Sequence, residues 1–289
     1  MGGVKTRTSK EIRAKAPALD EATFHNLRRR ITNASGIYVL DDANSRFLLE
    51  RRLSPRLRVR GVTSFSDYET TLDEKELDTM LDVIAVHETY FFREKRQLKV
   101  FSDHIIPELS RLSRPVKIWS AGCSTGEEAY TIAMLLAEQD FLGEGRAQVI
   151  ASDLSMRVIK SGIQGIYGAS SFRTTEPRFK EKYFTEAGRG LWRASDLLRS
   201  SVQFEQANLI GISSQMKECA SPADGGLDVI FCRNVLMYFD EAAVKKTLTA
   251  LHSLLREGGY LLLGHAESLL PVGLGYGSVQ IDRELFHKK

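Results

Sequence analysis

From about Asp20 to Ile84 the apolar residues recur at helical spacing. Leu77, Met80, Leu81 and Ile84 share one face, and polar starts at Asp20, Ser54, Ser66 and Asp73 divide the segment into helices. From Val116 onward the texture changes. Short apolar runs, Val116 to Ala121, Gln148 to Ser152, Leu227 to Cys232 and Tyr260 to Leu263, are separated by longer amphipathic stretches. Strands alternating with helices predict an α/β architecture in which a mostly parallel sheet is covered on both faces. Glu127 to Phe141 reads as a helix, because Ala129, Ile132, Ala133 and Leu136 follow the i, i+3, i+4, i+7 rule. Between Ile166 and Asn208 the alternation is interrupted by KYFTEAGRGLWRASDLL, where Gly188-Arg189-Gly190 offers a turn, which predicts a β-hairpin insertion at about 168–205. The expected division is a tail at 1–18, an all-helical N-terminal domain at 19–85 and a catalytic α/β domain at 86–289.

Composition adds constraints. The chain has 289 residues and 43% hydrophobic content, ordinary for a soluble globular protein. No run approaches the roughly eighteen apolar residues of a membrane span, and MGGVKTRTSKEIRAKAPALD holds no apolar stretch fit for a signal peptide, so a cytoplasmic protein is expected. Met1-Gly2 with Thr6 satisfies the loose myristoylation pattern, but the segment reads as a disordered basic tail. Cys123, Cys219 and Cys232 are odd in number and widely spaced, without a C-x-x-C pair, and read as reduced thiols. The formal charge of +3 is small, but between Phe24 and Val62 nine arginines (28, 29, 30, 46, 51, 52, 56, 58 and 60) face only Asp41, Asp42 and Glu50, an excess of six.

The candidate chemistry begins at HETYFFRE, His87 to Glu94. A zinc-protease reading fails, because H-E-x-x-H needs a second histidine where this chain has Phe91, and no metal site is expected. In VKIWSAGCSTGEEAY a strand, a glycine turn and a helix follow one another, the arrangement that brings a cofactor to backbone N–H groups and a helix N-terminus. Gly122 and Gly126 do not make G-x-G-x-x-G, and no Lys-Ser or Lys-Thr makes a phosphate loop. Instead the loop ends in Glu127 and Glu128, which repel a pyrophosphate and favour a cofactor carrying positive charge; S-adenosylmethionine fits, while capping acids of the helix are the plainer account. Asp153 follows the next strand, where such folds place an acid on ribose hydroxyls or simply cap a helix. Arg233 and Asn234 follow the apolar run Leu227 to Cys232 and so stand at the carboxyl edge of the sheet, where ligands of this fold class bind.

The order HETYFFR, AGCSTGEE, ASD and FCRNVLMYF is more specific than any of its parts. With LLERRLSPRLRVRG, it resembles the bacterial chemotaxis receptor glutamate methyltransferases of the CheR type, from about Thr23 to about Ile281. The resemblance implies a Rossmann-like S-adenosylmethionine-dependent domain. Thr89 and Arg93 would reach the methionine end of the cofactor and Glu127 its amino group. Asp153 would take the ribose, Asn208 and Leu209 would flank the adenine, Arg233 and Asn234 would line the far side, and Tyr238 would lie near the transferred methyl. His87 stands where the family usually has Asn, and its imidazole is still able to donate a hydrogen bond. Phe91 and Phe92 are expected to dock the segment, with Arg93 projecting to a carboxylate.

The acceptor implied is a glutamate side chain of a chemoreceptor. Glutamate is already ionised at neutral pH, so alignment and water exclusion supply the rate, with Arg93 and Tyr238 orienting the oxygen. Arg52, Arg56 and Arg58 are the expected docking face for acidic receptor helices. Nucleic acid competes for the same charge, but no Asn-Pro-Pro-Tyr or Asp-Pro-Pro-Tyr is present. In the family the hairpin insertion docks the receptor by pairing with a tethering peptide through strand addition. A monomer is expected. The rival readings are a methyltransferase for another signalling protein and a non-catalytic receptor-binding module.

Overall fold

The computed structural model describes residues 17–143, 145–212, 226–267 and 274–289. The expected tail, apart from its last two residues, and Cys219 lie outside them. Two compact units emerge: Val39–Ile84 with the chain up to Ile31, and Ala85–Lys289 together with Thr32–Tyr38.

The first unit is built from α1 (Glu21–Ser35, as far as Ile31), α2 (Ala43–Arg60), α3 (Phe65–Thr70) and α4 (Glu74–Ile84). Asp20 starts α1 by accepting from the Thr23 N–H (2.9 Å) and hydroxyl (2.7 Å), and Asp73 starts α4 by accepting from the Glu76 N–H (2.7 Å). The expected starts at Ser54 and Ser66 are corrected. Asp42 caps α2, which runs on through Ser54 and Pro55 to Gly61, a residue in the left-handed region (φ 69°) that glycine adopts freely. Ser54 is inside that helix, its hydroxyl bonded back to the Glu50 carbonyl (2.7 Å), and Ser64 rather than Ser66 caps α3. Leu27, Ile31, Leu49, Leu53, Leu57, Phe65, Met80 and Leu81 form the core.

Into this core reaches a carboxylate, Glu76, gripped by Arg56 through Nε (2.9 Å) and Nη2 (2.6 Å) and by the Tyr68 hydroxyl (2.7 Å). Burial alone would raise Glu76, but the bonds from Arg56 and Tyr68 prevail and hold it below the ordinary value. The place of Arg56 on an open docking face is therefore revised: its fork is spent inside the unit, and charge reversal there would strand a buried acid. Arg52 donates to the Ile84 carbonyl, whereas Arg58 is exposed.

The second unit carries a seven-stranded sheet in the order β6-β2-β1-β7-β8-β10-β9. Its strands are β1 (Val116–Ala121), β2 (Ala147–Asp153), β6 (Val202–Gln206), β7 (Leu227–Cys232), β8 (Leu255–Leu263), β9 (Gly277–Ile281) and β10 (Glu284–Lys288). The first five are parallel, while β10 runs antiparallel to both β8 and β9. Successive residues of a strand enter opposite layers: Ile118, Val229 and Phe231 join one core with Phe101, Tyr130 and Ile132, while Trp119, Ile150 and Ile230 join another with Leu248 and Leu251. That explains why the strands read as unbroken apolar runs.

Helices α5 (Lys95–Val100) and α6 (Ile106–Leu109), joined by a π turn at Phe101–Ile105, lead into β1. Next come α7 (Glu127–Ala137), α8 (Met156–Gln164), α9 (Pro177–Tyr183), α10 (Asp196–Ser201) and α11 (Glu241–Leu254). The helix expected to reach Phe141 ends at Ala137, because Asp140 turns left-handed (φ 52°) and the Phe141 N–H closes on the Leu136 carbonyl. A separate antiparallel sheet, β3-β5-β4, is formed by β3 (Ile166–Tyr167), β4 (Phe184–Glu186) and β5 (Trp192–Ala194), with Gly188-Arg189-Gly190 all at positive φ in the turn. No helix of the described residues is long and apolar enough to cross a membrane.

Candidate active site

The chain runs from β1 through α7 to β2 on one side of β1, and returns through β7 on the other. The carboxyl ends of β1 and β7 therefore flank a topological switch point, where open α/β sheets form a crevice. After β1, Gly122 (φ 84°) turns so tightly that a Cβ there would stand 2.4 Å from Val235. The N–H groups of Gly122 and Cys123 both bond the Ser152 carbonyl (2.8 Å each), and the Ser124 N–H reaches the Asp153 carboxylate (2.9 Å). Asp153 also accepts from the Ser155 N–H (3.0 Å), but Ser155 itself caps α8. The Ser124 hydroxyl donates to the His87 carbonyl (3.1 Å), joining the HETYFFR segment to the glycine loop.

Four residues in this region, Phe92, Glu94, Ser124 and Asn234, adopt positive φ without being glycine. Such backbone costs of order 1–3 kcal/mol per residue and persists only where surroundings enforce it. Ser124 is held by Asp153 and the His87 carbonyl and Phe92 by the Thr131 hydroxyl, while around Glu94 and Asn234 the central group is Arg233, whose side chain is 2% exposed. It donates to Glu94 (3.0 Å from Nη2), Glu128 (3.1 Å from Nη1) and the Arg93 carbonyl (2.7 Å). Glu94 also accepts from the Asn234 amide (3.2 Å), and Glu128 from the Ser120 hydroxyl (2.7 Å). Glu267 closes the other side, its carboxylate taking the N–H groups of Gly264 (2.7 Å), Asn234 (2.7 Å) and Met237 (3.2 Å).

The electrostatics follow the burial. Desolvation would raise Glu94, but Arg233 overrides it and keeps that carboxyl low; for Glu128 desolvation wins over Arg233 and the carboxyl is raised. Glu127, buried at the start of α7, is raised by desolvation as well; it takes hydroxyl donors from Thr125 (2.6 Å) and Ser171 (2.9 Å). Burial pushes the Cys123 and Cys232 thiols well up, so neither is a ready nucleophile.

The expected site residues are distributed as follows. Arg93 is half-buried, bonded only to the Glu88 carbonyl (3.0 Å) among the described residues, and its charge helps lower Glu128. Thr89, four residues earlier, is half-buried as well. Phe91 packs on Phe172, Phe184 and Tyr167, and Phe92 on Phe179, so the pair anchors the segment against the β3-β5-β4 region. Asn208 spends its amide on the Ala34 carbonyl (2.6 Å) and the Ile210 N–H (3.0 Å), and Leu209 is buried in the second core layer; together they shape the wall beyond β6. Asn234 stands at the end of β7, and Tyr238 is half-buried in the turn Leu236–Tyr238 that follows. Arg233 lies beneath the crevice as its central tie rather than on its lining. Sequence reasoning gave no role to Glu94 or Glu267, and none to Glu128 beyond its sign. Glu94 adjoins the arginine that drew attention, while GHAES after β8 carries no spacing signal.

The crevice suits a cofactor that is cationic at one end and bears ribose hydroxyls. Among the described residues Glu127 offers a desolvated carboxylate with hydroxyl but no ammonium or guanidinium hydrogen-bond partners, Asp153 stands at the β2 terminus, and α7 starts with acids where a phosphate would be repelled. Among the described residues no cluster of His, Cys, Asp or Glu is arranged to hold a metal ion. This is a Rossmann-like, S-adenosylmethionine-dependent methyltransferase with an all-helical N-terminal domain. The family assignment is specific: residues 87–280 match the model of the CheR methyltransferase, SAM binding domain, and residues 22–85 that of the CheR methyltransferase, all-alpha domain. The chain belongs to the CheR methyltransferase family. It is 32% identical over 259 residues to chemotaxis protein methyltransferase 2 of Vibrio cholerae, covering 87% of each chain. It is 33% identical over 258 residues to the chemotaxis protein methyltransferase of Escherichia coli, covering 87% of this chain and 86% of the other. The Borreliella burgdorferi chemotaxis protein methyltransferase is 32% identical over 237 residues, with 78% and 81% covered.

Proposed function

We propose that this protein methylates glutamate side chains of chemoreceptors in the cytoplasm, forming carboxyl methyl esters, with S-adenosylmethionine as the methyl source. The observation that carries the reading is Arg93, whose side chain has no carboxylate at hydrogen-bond distance among the described residues and is flanked by left-handed backbone on both sides. The bound cofactor supplies an activated methyl group. The protein's own residues have to present a carboxylate oxygen in line with it and to exclude water; Arg93 and Tyr238 orient that oxygen, and no base is needed because glutamate titrates near about 4.3. Glu127 and Asp153 hold the two ends of the cofactor, with Thr89, Asn208, Leu209 and Asn234 around it. His87 contributes its carbonyl to the glycine loop, which the family's usual Asn would supply equally. The exposed Arg58 and neighbouring Arg52 serve acidic receptor helices, and the β3-β5-β4 sheet offers strands to a tethering peptide.

The test is incubation with methyl-labelled S-adenosylmethionine and chemoreceptor-bearing membranes of the host. Label released by mild base as methanol identifies the ester. Base-stable label, or label on nucleic acid, would assign another acceptor. A second expectation concerns the cofactor: Asp153→Ala should weaken S-adenosylmethionine binding by about 1–3 kcal/mol, the loss from leaving buried polar groups without their charged acceptor. Calorimetry on the folded variant checks it, and wild-type affinity would reduce Asp153 to a brace for Ser124 and Ser155.

A further inference from the structure

The Tyr90 ring has two guanidinium groups against it, Arg173 at 3.6 Å from the ring centroid and Arg93 at 5.8 Å. They come from different segments, which the main chain ties together: the Phe91 N–H bonds the Ser171 carbonyl (2.9 Å), and the Thr174 hydroxyl bonds the Phe91 carbonyl (2.8 Å). Among the described residues one carboxylate lies within hydrogen-bond distance of these guanidinium groups. Glu88, 71% exposed, places Oε1 at 3.1 Å from Nη2 of Arg173, while its carbonyl accepts from Arg93. The buried carboxylates Glu128 and Glu127 feel the charges of Arg93 and Arg173 from further off, and Ser171, two residues from Arg173, bonds Glu127. A guanidinium stacked on an aromatic ring loses little freedom when its edge takes a carboxylate in a two-point grip; in Arg173 Nη2 is on Glu88 and Nη1 on the Ser170 carbonyl (3.2 Å). The Glu88 pair, by contrast, is a single exposed contact that water and salt weaken.

We propose that Tyr90 and Arg173 form a carboxylate-binding subsite for the acceptor protein, taking a second acidic side chain next to the glutamate methylated at Arg93, and that Glu88 fills this subsite until the acceptor displaces it. The proposal rests on the glutamate acceptor reading. It explains why an exposed acid and an exposed arginine are paired there: the internal carboxylate occupies one arm of the fork, yet binds weakly enough to leave.

The test uses the full chain, chemoreceptor-bearing membranes and base-labile label. Arg173→Gln should raise the acceptor KM about tenfold at low salt, with a smaller change in kcat and wild-type affinity for S-adenosylmethionine. Arg173→Lys should restore part of the loss, since charge returns without the fork. Glu88→Gln keeps the carbonyl used by Arg93 and should lower the acceptor KM by about twofold to threefold, as a competing carboxylate is removed. A wild-type acceptor KM in Arg173→Gln would overturn the subsite, as would a loss confined to cofactor affinity, which would make Arg173 a prop for Glu127. A raised KM in Glu88→Gln would overturn the displaced-occupant part. Wild-type protein that forms no base-labile ester would overturn the acceptor reading itself, and the proposal with it.

Discussion

Arg233→Met should lower the stability of the protein by about 3–5 kcal/mol at neutral pH, the cost of leaving buried acids without their partner. Two carboxylates, Glu94 and Glu128, share this one guanidinium, and the Arg93 carbonyl loses a donor as well. Methionine fills similar volume, so the loss is electrostatic rather than a cavity. The sign of the pH dependence follows. In the wild type the low carboxyl of Glu94 adds stability that disappears as pH falls through its depressed value, whereas the raised Glu128 does the opposite. Without Arg233 both carboxyls shift upward, and a group raised in the folded state contributes stability present at low pH and lost as pH rises. The deficit of the variant should therefore shrink between about pH 7 and pH 5. Thermal melts across that range measure it. A constant deficit would mean that shape, not charge, is what Arg233 supplies.

Arg93→Ala should leave the fold intact and depress methyl transfer by about 10²-fold, comparable to removing one preorganised charge-stabilising donor from an active site. The contrast with Arg233 comes from how each arginine is held. Among the described residues the Arg93 side chain makes one hydrogen bond, to a carbonyl, and Glu128, which feels its charge, keeps its bonds to Arg233 and Ser120 when it is removed. Tyr238→Phe should cost about tenfold or less, because the ring keeps its place and only one hydroxyl is lost. Single-turnover rates at saturating cofactor separate these effects from binding. An Arg93→Ala protein with wild-type turnover would remove Arg93 from the reaction and leave Tyr238 as the orienting group.

The parallel sheet was legible because strands buried on both faces become uniform apolar runs, and Val116 to Ala121 and Leu227 to Cys232 are such runs. Helix boundaries were less so. Ser54 before Pro55 mimics a start, but Asp42 had already capped that helix, and a serine hydroxyl bonded back one turn looks the same in sequence. At the site, the glycine loop, Asp153 and the residues after β7 were found because each stands at a strand terminus. The ties between them were not. Glu94, Glu128 and Glu267 act through partners as far as 171 positions away in sequence, a distance at which a single chain carries no spacing rule. The separation of Arg56 from its basic neighbours likewise depended on Glu76, buried two helices further on.

The short stretch Thr32–Tyr38 groups with the catalytic unit although the chain on both sides of it does not. Ala34 holds the amide of Asn208, Tyr38 gives its N–H to the Tyr238 carbonyl (2.7 Å), and the Gly36 carbonyl accepts from Asp240 (3.2 Å). A truncation at Ala85, which the linear boundary between the two family domains invites, would therefore delete this splint, the last turn of α1 and the residues after it, from the enzyme along with the other helices. A minimal catalytic fragment has to carry Thr32–Tyr38 grafted back, or be made by excising Val39–Ile84 and bridging the gap.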